Sequence, residues 1–146
     1  MKRRTHSPED FGLRILESED DMFRWFLLVY LLGKPIQSSV ALNTWQLFID
    51  RQLDTPWSIL GMSDPALVRL LHEGKYTRYQ HVMTRALKTC MNQLIGDYEG
   101  SLMMMLQVSA DEDELSKRLQ KLYGVGPKTA EIFMRATEEF FAERVD

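Results

Sequence analysis

Apolar positions recur at helical spacing along almost the whole chain, and polar or glycine-proline breaks cut them into segments. Ser7-Pro8-Glu9-Asp10 predicts a capped helix running to about Glu17. Ser18-Glu19-Asp20-Asp21 is a second cap, and the segment it opens is apolar nearly all round: Met22, Phe23, Trp25, Phe26, Leu27, Val29, Tyr30 and Leu31. That pattern predicts a helix buried on most sides, ending at Gly33-Lys34-Pro35. A helix from Ser39 to Arg51 follows, with Val40, Leu42, Trp45, Phe48 and Ile49 facing inward. Thr55-Pro56 and Asp64-Pro65 open short helices reaching Leu60 and about His72.

A longer helix is expected from Thr77 to Leu94, with a turn at Gly96 and Gly100. Tyr79, Val82, Met83, Ala86, Leu87, Cys90 and Leu94 form its apolar face. The Met-rich run Leu102 to Leu106 reads as core filling. Ser109-Ala110-Asp111-Glu112 caps the next helix, and a final helix runs from about Pro127 to at least Phe141. No segment alternates like a strand between turns, so the expected class is all-α. The expected division is an arm and short helix (1–17) followed by one compact helical domain (18–146).

The most informative stretch is Leu119-Gln120-Lys121-Leu122-Tyr123-Gly124-Val125-Gly126-Pro127-Lys128-Thr129-Ala130. It joins two amphipathic helices, about 110–142 in all, through a glycine turn. Gly124 can end the first helix at positive φ, and Pro127 suits the first turn of the second. Leu119, Leu122, Val125, Ala130 and Phe133 pack the two helices together. The N–H groups of Gly126, Lys128 and Thr129 are left at the positive end of a helix dipole, which makes an anion site; a nucleic-acid phosphate is the anion it suits. The plainer reading is a helical hairpin whose glycines serve geometry alone.

Composition changes this picture little. The chain has 146 residues and a hydrophobic content of 45%, which suits one domain with a real core. Its net charge of −3 argues mildly against tight DNA binding unless the basic residues are segregated. They are: Arg78, His81, Arg85 and Lys88 recur on one stripe of the expected long helix, just after Arg69, His72 and Lys75. That stripe reads equally as a DNA-facing surface or as an ordinary solvated face. Cys90 is the single cysteine, which excludes an internal disulfide and a four-cysteine metal or iron–sulfur site. His6, His72 and His81 have no ligand constellation around them. Lys2-Arg3-Arg4 is not followed by an apolar leader core, and the apolar run Trp25 to Leu32 is too short to span a bilayer. The expected setting is cytoplasmic, with the nucleoid if DNA is bound.

The turn stretch resembles the helix-hairpin-helix motif, L-x-x-L-x-G-V-G-x-K-T-A, of proteins that hold the DNA backbone without sequence preference. From about Met22 to Phe141 the order of elements also resembles the endonuclease III superfamily of DNA glycosylases. The apolar helix, the turn Gln37-Ser38-Ser39, the helix Ser39 to Arg51, Gly74-Lys75-Tyr76, the basic helix Arg78 to Lys88 and the hairpin follow in that order. Outside the hairpin this is a loose pattern of helices.

The resemblance implies double-stranded DNA as partner, with Gly124, Val125, Gly126, Lys128 and Thr129 at the backbone and Arg78, Arg85 and Lys88 supporting them. It implies that Gln37 probes the duplex beside an extruded base, although Gln37 also reads as a plain polar residue before a helix. In bifunctional members the hairpin lysine attacks the sugar C1′ and forms a Schiff base, and an aspartate about eighteen residues on assists. Lys128 stands at the lysine position, and Asp146 falls at the aspartate's distance. An unbroken helix from Lys128 would hold Asp146 about 27 Å away, so the chain must break after about Phe141 for the two to meet. A lysine nucleophile also needs burial or nearby positive charge to be neutral. A monovalent cation on the hairpin carbonyls is implied by resemblance only, and no other cofactor is expected.

Three functions follow from these residues: a DNA glycosylase or abasic-site lyase of base-excision repair, a non-catalytic DNA-binding protein of the same fold, and a protein-interaction module that has lost DNA. In the last, a partner chain or a second copy would supply the contacts.

Overall fold

The computed structural model describes residues 6–143, all helix and connection, with no strand among them. Its centre is α1 (Glu19–Leu31), where the all-round apolar pattern has its expected consequence: Met22, Phe23 and residues 25–31 are all buried. Ser18 Oγ caps the helix by accepting from the Asp21 N–H at 3.1 Å. Each large side chain buried this way stabilises the fold by about 1.5–3 kcal/mol.

Around α1 pack α2 (Ser38–Asp50), α6 (Leu102–Val108) and α8 (Pro127–Arg135). The long helix α5 (Gln80–Tyr98) lies against α3 (Pro56–Leu60), α4 (Asp64–Glu73) and α6. Helix α7 (Glu112–Gln120) pairs with α8, and a short α9 (Glu138–Ala142) follows. Polar atoms of aromatic rings tie these layers to one another. Trp45 Nε1 donates to the Arg24 carbonyl at 2.8 Å, Tyr76 donates to the Leu31 carbonyl at 2.6 Å, and Phe26 meets Phe133 edge to face. The Glu19 carboxylate reaches across to the start of α6, accepting from the Ser101 hydroxyl and from the Leu102 and Met103 N–H groups. It occupies the end of the dipole that favours an anion.

Several expected boundaries move. The first helix is only a 3₁₀ turn, Pro8–Phe11, because the chain turns at Gly12 (φ +73°) and then sends Leu13 and Ile15 into the core. The inward face of α2 is Ala41, Thr44, Trp45 and Phe48, not Val40, Leu42 and Ile49, which are partly covered. Gly74 presses against Thr44 so closely that an added Cβ would lie 2.2 Å from Thr44 Oγ1 and 2.9 Å from its Cα, so α2 meets the end of α4 at this pair. The basic helix starts at Gln80, after a separate 3₁₀ turn Thr77–Tyr79 that carries Arg78. Gly96 lies inside α5, which ends instead at the left-handed pair Glu99 and Gly100, where the Gly100 N–H returns to the Leu94 carbonyl.

At the hairpin the cap is Asp111, with Glu114 reaching back to the Ala110 N–H; Ser109 is buried and donates to the Met105 carbonyl. The final helix breaks at Ala136-Thr137. Thr137 is fully buried, and both its N–H and its hydroxyl bond to the Met134 carbonyl, which tightens the last turn and stops the α pattern. The chain therefore changes course earlier than Phe141. Asp146 lies outside the described residues.

Candidate nucleic-acid interface

The turn between α7 and α8 is anchored from below by α5 and α1. Leu119, Leu122, Val125, Ala130 and Phe133 are all buried, as the spacing predicts, and Leu115 is buried with them. Gln93 on α5 grips the turn with both ends of its amide: Oε1 accepts from the Tyr123 N–H at 2.7 Å, and Nε2 donates to the Lys121 carbonyl at 3.1 Å. Tyr30 on α1 donates to the Tyr123 carbonyl at 2.7 Å and lies 3.1 Å from the Ala86 carbonyl. One hydroxyl proton serves one acceptor fully, so the shorter contact to Tyr123 is the stronger. The buried Cys90 thiol is a hydrogen-bonding neighbour of the same hydroxyl, and burial pushes it up to about 12.

Gly124 adopts φ +86°, and an added Cβ would lie 2.4 Å from Tyr30 Oη. Both its backbone angle and the closeness of Tyr30 require glycine here. Gly126 differs. It has φ −98°, nothing lies within 4 Å of an added Cβ, and it starts α8 without a side-chain cap. Among the described residues no acceptor takes the N–H groups of Gly126, Lys128 or Thr129; the first bond of α8 runs from the Ala130 N–H to the Gly126 carbonyl. Free donors therefore converge at the start of a nine-residue helix.

Beside the turn lies an open cleft of about 150 Å³, lined by Tyr30, Gly33, Lys34, Val82, Met83, Ala86, Tyr123 and Gly124. The loop after α1 closes one side, where an added Cβ on Gly33 would sit 3.3 Å from Thr129 Oγ1. Lys34 Nζ lies 5.5 Å from the centre of the Tyr79 ring, and the Arg78 guanidinium lies 5.3 Å from it. Arg78 and Arg85 are exposed, and Arg85 follows Val82 by one helical turn. Lys34, Tyr123 and Gly124 thus share one cleft, with Arg78 meeting Lys34 at the Tyr79 ring and Thr129 of α8 close to Gly33 of the cleft wall. No protein-family model matches this chain, and no curated protein matches it.

Other expected site residues are placed differently. Lys88 is held by Asp64 at 2.9 Å and by the Met62 carbonyl, so it braces the α3–α4 connection. Gln37 is exposed at the start of α2, and its side chain caps nothing. Val125 contributes a buried side chain under the turn. Lys128 is 74% exposed, and the charged group beside it is Glu131 at 3.8 Å, which also pairs with Arg135. Burial and a nearby cation, the two features that activate a lysine nucleophile, are not found there among the described residues. The Lys121, Leu122 and Tyr123 carbonyls already accept from Gln93, the Val125 N–H and Tyr30.

Sequence reasoning passed over Lys34, Val82 and Tyr123 as site residues. Lys34 stood in a helix stop and Val82 in an apolar face, and Tyr123 had no periodic signal at all. Glu112, Asp113, Glu131 and Glu138 line a second groove along α7 and α8, which reaches the start of α8 at Pro127 and brings Glu131 within 3.8 Å of Lys128. No helix among the described residues is long and apolar enough to cross a membrane.

Proposed function

We propose that this chain holds the backbone of double-stranded DNA at the turn Gly124–Gly126 and the start of α8. The observation that carries this reading is the set of unpaired N–H groups at Gly126, Lys128 and Thr129, near a cleft lined by Lys34, with Arg78 on the Tyr79 ring that Lys34 also approaches. A phosphate oxygen would accept from these N–H groups, with Lys128 as a mobile cation at the same helix end. Lys34, Arg78 and Arg85 extend the positive surface toward neighbouring phosphates. Such contacts fix register without reading bases, so binding would be insensitive to sequence. The cleft lining itself carries Lys34 and no carboxylate, whereas Glu131 beside Lys128 opposes a polyanion at the start of α8.

Lyase chemistry of base-excision repair is a second proposal, carried by the resemblance around Lys128. The exposed setting of that lysine favours binding over catalysis.

One experiment separates the readings. Duplex binding is titrated against salt for the wild type and Lys128→Gln, and an abasic-site duplex is treated with borohydride in parallel. Binding that falls steeply with salt, weakened in Lys128→Gln and without a covalent adduct, supports the backbone-binding function. An adduct lost in Lys128→Gln would establish the lyase. Absence of salt-dependent binding would remove DNA as the partner and leave a protein-interaction role.

A further inference from the structure

Tyr123 is 56% exposed, yet both polar groups of its backbone are hydrogen-bonded to side chains of other helices. Gln93 fixes its N–H, Tyr30 fixes its carbonyl, and the next residue rests against the Tyr30 ring. The ring therefore projects from an anchored turn, and little freedom beyond two side-chain torsions is lost when something settles on it. Val82 beside it is 43% exposed, and the two share the cleft with Met83 and Ala86. One cation, Lys34, stands in the cleft wall, and Arg78 meets the same Tyr79 ring that Lys34 approaches. A planar apolar surface next to free phosphate donors and basic side chains complements one chemical group well: a nucleobase whose own sugar-phosphate is held at the rim.

We propose that Tyr123 and Val82 form a stacking platform for an unpaired or terminal nucleobase, so that the chain binds DNA most tightly where the base stack is interrupted. This rests on the backbone-binding reading above. In an unbroken duplex every base face is covered by its neighbours, and the ring at the turn meets no π surface. At a one-nucleotide gap two base-pair faces are open, and the flexible backbone lets one of them turn onto Tyr123. Every base offers a π face, so the platform adds preference for DNA structure without adding preference for sequence.

The test compares unbroken duplex, one-nucleotide-gapped duplex and single-stranded DNA of the same sequence, using the wild type, Tyr123→Phe and Tyr123→Ala. Fluorescence of 2-aminopurine beside the gap reports stacking directly, and circular dichroism checks that each variant folds. The expected result is about tenfold tighter binding to the gapped duplex than to the unbroken one. Tyr123→Phe keeps that ratio, and Tyr123→Ala brings it to about one, chiefly by weakening binding to the gapped duplex. The 2-aminopurine signal is quenched by the wild type and not by Tyr123→Ala. Salt-dependent binding of gapped and unbroken duplex with equal affinity overturns the platform and leaves backbone binding standing. Equal weakening of both by Tyr123→Ala, or tightest binding to single-stranded DNA, also overturns it. If neither duplex binds in a salt-dependent way, the backbone-binding reading itself fails.

Discussion

The Tyr30 hydroxyl donates to the carbonyl of Tyr123 at 2.7 Å, joining residues 93 positions apart in the chain. The bond ties the central helix to the loop that carries the candidate site. It also explains why a tyrosine stands in a helix otherwise filled by Phe, Leu, Val, Met and Trp on its buried faces. Tyr30→Phe leaves the ring packed but strips the Tyr123 carbonyl of its partner. The expected loss of stability is about 1–2 kcal/mol, read from a shift of the urea midpoint at constant slope. Duplex affinity should fall as well, because a looser turn presents its N–H groups less well. A midpoint unchanged from wild type would mean that water replaces the hydroxyl at no cost.

The two turn glycines should separate structure from function. Gly124→Ala meets both a positive φ and the Tyr30 hydroxyl. It should destabilise the fold by about 2 kcal/mol or more, and affinity should fall with it. Gly126→Ala meets neither, because its φ is −98° and the space around it is open. It should fold with near-wild-type stability but bind duplex DNA more weakly, since the new methyl group stands where a phosphate would approach. Thermal melts paired with titrations decide this. Full duplex affinity in a well-folded Gly126→Ala would argue that the turn is not the phosphate site.

The sequence carried the helical class and most helix starts, because these depend on local signals. Ser18 and Thr55 cap where their side chains accept from N–H groups three residues on, whereas the helix expected to open at Asp64-Pro65 is capped one residue earlier, by Ser63. The leucines and Phe133 of the hairpin are buried because amphipathic spacing sets a face before any partner is known. What stayed illegible depends on contacts across the chain. Gln93 gripping Tyr123, Glu19 capping α6 and Gly74 pressing on Thr44 join residues that no periodicity connects. The break at Thr137 has a local cause, but threonine is common inside helices, and only its burial and its return to Met134 mark it as an end. In the candidate site, the turn was legible because glycine, proline and lysine have fixed meanings at a helix start. Tyr123 and Lys34 were not, because exposure and clustering are properties of the folded surface.

The basic residues of α5 and the turn before it should divide into two groups. Arg78 and Arg85 are exposed near the cleft, whereas Lys88 is held between Asp64 and the Met62 carbonyl. Arg78→Gln and Arg85→Gln should each weaken duplex binding across all sequences and reduce the slope of log affinity against log salt by about 1. Lys88→Gln should leave that slope unchanged and lower stability modestly, because it unpairs Asp64 at the surface. A slope lowered by Lys88→Gln would mean that the ion pair opens to meet DNA, and would extend the interface toward α4.

Alkaline pH should unfold the protein through three buried groups at its centre. Burial pushes Tyr30 and Tyr76 well above their ordinary value of 10.0 and pushes the Cys90 thiol from 9.0 to about 12. In the unfolded chain these groups ionise at their ordinary values, so above about pH 9 the unfolded state holds fewer protons than the native one. Stability is therefore complete below pH 9 and falls as pH rises toward the native values, by at most about 1.4 kcal/mol per pH unit for each group. Melting temperature recorded from pH 7 to pH 11 should be flat at first and then decline. Tyr76→Phe removes one of the three groups, so its decline should be shallower than the wild type's even though it starts from a lower melting temperature, having lost the bond to the Leu31 carbonyl. The same burial shields the thiol: at pH 8 a maleimide should label Cys90 slowly in the native protein and rapidly in denaturant. Fast native labelling would show that α5 opens beneath the turn, and the rigid presentation of Tyr123 would then have to be abandoned.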